Sequence, residues 1–206
     1  SFFSYNPINK MTEKEVDVAR EFVEDMFFFM KIDEMDVTID GILDKAAELV
    51  KRNGINCLVI DPWNYVEHQV PKGMSETQYI SEALTKVKRF KDRYGVHVFI
   101  VAHPTKIRKE NGSYVVPTLY DISGSANFFN KCDNGFVVYR DYATGETQVH
   151  IQKIRWSFVG RVGEVRFVYD VKCKRFTEIG SEERFSPIND YEQKNDEIYG
   201  NEDIPF

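Results

Sequence analysis

CLVIDP at residues 57–62 and VHVFIVAHP at residues 96–104 decide how this chain is read. Each is an apolar run that ends in a polar group, Asp61 in the first and His103 in the second. A run without apolar–polar alternation predicts a strand covered on both faces, the habit of parallel α/β sheets. Ligands of such sheets sit beyond the carboxyl ends of the strands, where Asp61 and His103 are expected to emerge. An acid and an imidazole on neighbouring strand ends suit a metal-bound phosphate. The sequence contains no G-x-x-x-x-G-K-[ST] loop that would cradle such a phosphate.

The flanking segments supply helices. Thr12 and Glu15 predict a capping box that opens a helix reaching about Asp25, with Val16, Ala19, Phe22 and Val23 on one face. Residues 27–32 (FFFMKI) predict a short aromatic strand. Asp36 or Thr38 opens a second helix with Ile39, Ile42, Leu43, Ala46, Leu49 and Val50 inward, ended by Gly54. Ser75 and Gln78 cap a third, carrying Tyr79, Ile80, Ala83, Leu84, Val87 and Phe90 inward and closed by Gly95. This β-α-β-α-β alternation predicts parallel crossovers of right-handed sense.

Beyond Ala102 the pattern changes. Residues 106–117 predict a polar loop turning at Asn111-Gly112, and residues 121–131 hold the small cluster Ser123-Gly124-Ser125-Ala126. Residues 136–140 and 148–155 flank Thr144-Gly145, and residues 164–171 meet 175–179, which predicts antiparallel strands added to the parallel part. The expected fold class is therefore α/β.

At 206 residues and 42% hydrophobic, the chain can bury one core with a tail to spare. The absence of an 18-residue apolar run or a signal peptide predicts a soluble, intracellular protein with no membrane contact. Cys57, Cys132 and Cys173 lack C-x-x-C spacing, so reduced thiols are expected. The formal net charge of −6 belongs to the end of the chain: eight acids follow Gly180 against Arg184 and Lys194, leaving the body near neutrality. We expect residues 1–179 to form the folded body and 180–206 an acidic, disordered tail. Ser1 without an initiator Met reads as a cut through a longer protein.

Each chemical candidate has a plain alternative. Asp61 holds the position of a magnesium-ordering acid in nucleoside-triphosphatases, or else caps the turn at Pro62. His103 can donate to a phosphate oxygen, or be satisfied by a backbone carbonyl. Lys153 and Arg155 share one face of a late strand, as a clamp on phosphoryl oxygens or as a solvated edge. Lys106, Arg108 and Lys109 form a basic loop behind His103, and the Ser123–Ala126 turn offers backbone N–H groups to phosphates; either is otherwise an ordinary exposed loop.

Taken in order, strand-Asp, strand-His, basic loop, D-x-S-G-S-A and K-x-R resemble the C-terminal half of the RecA-like core of DnaB-like hexameric replicative helicases. That family includes phage primase–helicases and the mitochondrial helicase Twinkle. The resemblance runs from about Ile55 to Ile179 and implies a partial RecA-like sheet lacking its Walker A loop. LVIDPWN (residues 58–64) is similar to the family's Walker B motif, implying Asp61 as the magnesium-linked acid and Asn64 as a nucleotide neighbour. IVAHPTK (residues 100–106) resembles the third helicase motif, with His103 as phosphate sensor. DISGSANFFNKCDN (residues 121–134) resembles the fourth, implying that Ser123, Gly124, Ser125 and Asn130 meet single-stranded DNA with Lys106, Arg108 and Lys109. KIRW (residues 153–156) resembles the segment whose arginine, here Arg155, reaches a neighbour's nucleotide, with Lys153 beside it.

The resemblance thus implies ATP and Mg²⁺ as cofactors, single-stranded DNA and further copies of the chain in a hexameric ring as partners, and 5′→3′ translocation with duplex unwinding. It implies the cytoplasm of a bacterial or phage-infected cell. By itself the segment is expected to be inactive. Two other readings share these residues: a RecA- or KaiC-like ATPase that does not unwind DNA, and a non-catalytic replication adaptor. Finally, Glu202, Asp203, Ile204, Pro205 and Phe206 resemble the C-terminal tip of bacterial single-stranded-DNA-binding proteins, implying a docking peptide for replication proteins.

Overall fold

The computed structural model describes residues 11–31, 37–66, 70–105, 109–110, 113–122, 125–171 and 174–180. The expected tail and its tip at Glu202–Phe206 lie outside these residues, as do Lys106, Arg108, Ser123 and Gly124.

Helix α1 (Glu13–Met26) opens as its sequence requires: the Glu15 N–H donates to Thr12 Oγ1 at 3.3 Å, and the Thr12 N–H to Glu15 Oε2 at 2.6 Å. It belongs to the smaller of two compact units, with the segment from Phe167 onward. None of its residues is buried. The aromatic run that follows is not the expected strand. Phe27 caps α1 with extended backbone, φ −123° and ψ 127°, and residues 28–31 continue without ladder partners among the described residues. Extended chain becomes a strand only when a neighbour takes up its hydrogen bonds.

The larger unit, Met30–Arg166, holds the core. Helix α2 (Ile39–Asn53) starts at Thr38, whose Oγ1 accepts the Gly41 N–H at 3.1 Å, and stops at Gly54. Helix α3 (Glu76–Tyr94) starts with the Ser75–Gln78 capping box and stops at Gly95. Both glycines lie in the left-handed region, at φ 67° and 68°, where a side chain would be strained. Strands β1 (Cys57–Ile60) and β2 (His97–Ile100) pair in parallel, Cys57 opposite His97 and Ile60 opposite Ile100, with α3 as the crossover. Ile39, Ile42, Leu43 and Ala46 of α2 and Ile80, Ala83, Leu84, Val87 and Phe90 of α3 pack with Leu58 and Ile60 in one cluster. Each Leu, Ile, Val or Phe so buried is worth about 1.5–3 kcal/mol, and the two alanines less.

The expectation that both strand faces are covered needs correction. Burial alternates along β1, leaving Val59 55% exposed, and Phe99 of β2 is 41% exposed. Only one face of this pair is covered by described residues.

The expected polar loop contains a small hairpin, β3 (Lys109–Glu110) paired antiparallel with β4 (Ser113–Tyr114). A 3-10 turn at Leu119–Asp121 then leads to α4 (Ser125–Lys131). Strands β5 (Asn134–Arg140) and β6 (Thr147–Ile154) pair antiparallel, and β7 (Gly163–Asp170) does so with β8 (Arg175–Glu178), as expected, but they form a sheet of their own in the order β5-β6-β7-β8 instead of being added to the β1–β2 pair. The mixed α/β architecture, with a parallel pair first and a separate antiparallel sheet later, is consistent with a partial RecA-like fold. None of the described helices is long and apolar enough to cross a membrane. Cys57 and Cys132 are free thiols.

Candidate nucleotide and nucleic-acid site

The parallel register carries Asp61 and His103 out at the same edge. The ladder runs past the strand ends: the Val101 N–H donates to the Ile60 carbonyl at 2.9 Å and the Trp63 N–H to the Val101 carbonyl at 2.7 Å. Asp61 therefore leaves β1 beside the segment that carries His103, and both are exposed. The Asp61–Pro62 peptide is cis. After it, residues Trp63–Tyr65 form a 3-10 turn, with Trp63 buried edge-on against Phe128 of α4 at 5.5 Å.

That turn aims Asn64 back across the edge, where its Oδ1 accepts the His103 N–H at 2.8 Å. Asn64, expected beside a nucleotide, thus uses its amide oxygen to fix the backbone at His103. One side chain ties the two strand ends together.

Stitching continues past His103. Pro104 forms an antiparallel bridge with Ile122, and Thr105 donates to the Asp121 carbonyl through both its N–H and its Oγ1, each at 2.8 Å. This joins the segment behind the imidazole to the residues that lead into α4. Helix α4 is held on α3 by polar side chains as well as by Phe128. Lys131 Nζ donates to the Ser81 carbonyl at 2.7 Å and to Thr85 Oγ1, and Asn127 Nδ2 donates to the Thr77 carbonyl at 3.0 Å.

Lys153 and Arg155 converge on the C-terminal end of α4. Lys153 Nζ donates to the Phe129 and Asn130 carbonyls and lies 4.9 Å from the centre of the Phe129 ring. Arg155 Nη2 is spread over the carbonyls of Asn130, Lys131 and Cys132 at 3.2, 3.4 and 3.2 Å. Cationic donors suit this position, since the last carbonyls of a helix lack intrahelical partners and carry its negative dipole end. Arg155 Nε also lies 2.8 Å from Asp133 Oδ1, as an ion-pair contact rather than an aligned hydrogen bond. Lys91 Nζ, from the last turn of α3, donates to Asp133 Oδ2 at 2.9 Å.

Burial by itself raises the Asp133 carboxyl. The Lys91 hydrogen bond, with the charges of Lys91, Arg155 and Lys88, outweighs it and holds the group below the usual carboxylate range. The Lys91 ammonium is raised in return, chiefly by its hydrogen bond to Asp133. The neighbouring Cys132 thiol is pushed up by burial.

Several expected residues now have places. Asp61, Asn64 and His103 gather at the carboxyl edge of β1 and β2, whereas Lys153 and Arg155 gather at the C-terminal end of α4. Lys109 is exposed on β3, its Nζ 4.5 Å from the centre of the Tyr114 ring. The Asn130 side chain is exposed while its carbonyl serves the cations. Ser125 starts α4. Sequence reasoning missed Asp133 and Lys91, because nothing in their neighbours marks an ion pair that closes across 42 residues.

The donor set at the sheet edge fits a magnesium ion carried by a nucleotide. Mg²⁺ typically takes one or two carboxylates and leaves its remaining positions to water and phosphate. Asp61 is such a carboxylate, and no cluster of three or more His, Cys, Asp or Glu that could hold a metal ion exists among the described residues.

No protein-family profile matches the sequence. The Twinkle homolog protein, chloroplastic/mitochondrial, of Arabidopsis thaliana is 38% identical over 191 residues, 87% of this chain. The chain spans 26% of that relative's length. The relative's name places it in chloroplasts and mitochondria, a different compartment from the bacterial or phage-infected cytoplasm expected above.

Proposed function

This chain is related over most of its length to one segment of a Twinkle-type, DnaB-like helicase, and on that premise we propose that it is the phosphate-sensing and DNA-facing part of a ring-forming, ATP-driven DNA helicase. The observation that carries the reading is the shared edge of β1 and β2, where Asn64 pins the backbone of His103 beside the exit of Asp61.

Asp61 would hold the Mg²⁺ of an ATP–magnesium complex through water, and that ion would supply charge neutralisation across the phosphates. Asp61 itself would orient the water shell of that ion from its exposed strand end. His103 senses the terminal phosphate by donating an imidazole N–H. Its backbone is fixed by Asn64, so a change at the imidazole is passed forward through Pro104 and Thr105 to Asp121 and α4. Lys106, Arg108, Lys109 and the Ser123–Ser125 segment bind phosphates of one DNA strand without reading sequence, and the assembly moves in the 5′→3′ sense. Arg155 serves the nucleotide of a neighbouring copy in a hexamer, so turnover depends on assembly. The 206 residues contain no G-x-x-x-x-G-K-[ST] loop, and we assign turnover to the polypeptide that brings this segment together with one.

The test is ATP turnover with and without single-stranded DNA in the natural polypeptide that carries this segment. Asp61→Ala is expected to abolish turnover. His103→Ala is expected to keep a basal rate and lose its stimulation by DNA. Wild-type turnover in Asp61→Ala would overturn the reading. DNA affinity should also fall steeply with salt, as phosphate contacts require.

A further inference from the structure

We propose that Asp133 is a positioning residue for Arg155, seating its guanidinium on the C-terminal end of α4 in the single chain. The inference rests on the reading above, in which Arg155 serves a neighbouring copy, and it deepens that reading by naming what holds the group beforehand.

The carboxylate of Asp133 is divided between two cations. Oδ2 accepts from Lys91 at 2.9 Å, and Oδ1 faces Arg155 Nε at 2.8 Å. Because Lys91 comes from α3 and Arg155 follows β6, Asp133 is fixed from one element while it holds a group from another. Nη2 of the same guanidinium is shared among the carbonyls of residues 130–132, the last turn of α4 and the residue after it. Lys153 occupies the same helix end. A planar guanidinium engaged through Nε and Nη2 cannot also present those donors as a fork to a phosphate. Presenting the Nε–Nη2 edge to a second copy would require Arg155 to give up this seat. The side chain is 32% exposed, so the seat is reachable from solvent.

Ser123 and Gly124 directly precede α4 in the sequence, and Arg155 grips its far end. Displacement of that helix end would take the carbonyl acceptors away from Nη2 and leave the guanidinium on Asp133 alone.

The experiment measures the rate at which phenylglyoxal modifies Arg155 in this chain, read by peptide mass spectrometry, with exposed Arg161 as internal reference. Asp133→Asn is expected to speed modification of Arg155 several-fold relative to Arg161. Lys91→Met leaves the carboxylate in place but loosens it, and is expected to give a smaller increase in the same direction. If Asp133→Asn does not fold, Lys91→Met alone decides. Unchanged Arg155 reactivity in the variants that fold overturns the proposal.

A second arm adds an oligothymidylate to the wild-type chain. Faster modification of Arg155 supports release through α4, with little further gain expected in Asp133→Asn. Acceleration in the variants but none with the oligothymidylate upholds the positioning role and counts against the DNA link of the functional reading.

Discussion

Asn64 and Asp133 show how much a single side chain decides in this protein. Asn64→Ala would leave the His103 N–H without its 2.8 Å acceptor. The loss should cost about 1 kcal/mol, read as a lower urea midpoint with an unchanged slope. Asp133 carries a pH signature. Its folded-state carboxyl is held below its ordinary value, so its contribution is present above the unfolded value of about 3.9 and disappears as pH falls through the folded one. Urea unfolding between about pH 3 and pH 7 should show wild-type stability dropping at the acid end. Asp133→Asn should be less stable by on the order of 2 kcal/mol at neutral pH, with the gap narrowing in acid. A gap that stays constant with pH would contradict the ion-pair account. At this scale Asp61 and His103 were legible, because an apolar run that stops at a polar residue marks a strand end. The Asn64 tether and the Asp133 pair were not: each closes over about forty residues and depends on where a 3-10 turn or a helix end points.

Among the elements, helices with a capping signal could be read almost to the residue. Thr12, Thr38 and Ser75 each accept the N–H three residues on, as their sequences imply. Ser75→Ala should therefore weaken α3 by about 1 kcal/mol, visible as a lower thermal midpoint. The aromatic run after α1 misled, since β propensity describes a surface that needs a partner strand. The parallel pair misled differently: its composition anticipates cover on both faces, and the described residues supply one. Between α4 and β6 the decisive feature is Gly135, at the register shift of β5. A Cβ built there would lie 2.3 Å from Leu119 Cδ1, and Leu119 is itself buried. Gly135→Ala should destabilise by about 1–3 kcal/mol, and pairing with a smaller residue at 119 should recover part of that loss. An additive double variant would contradict the steric cause.

The larger unit as a whole reads as one connected path. It starts at Asp61, crosses to His103 through Asn64, follows Thr105 to Asp121, passes along α4, and ends at Arg155 and Asp133. We propose that the two ends of this path serve nucleotides on different copies of the chain, Asp61 its own and Arg155 its neighbour's. The direct measurement is ATP turnover by a mixture of Asp61→Ala and Arg155→Ala forms of the natural polypeptide that carries this segment. Each alone should be silent. The mixture should recover part of the wild-type rate, because some interfaces then unite an intact Asp61 with an intact Arg155. A mixture as silent as its parts, or an Arg155→Ala protein that turns over ATP normally, would contradict the account.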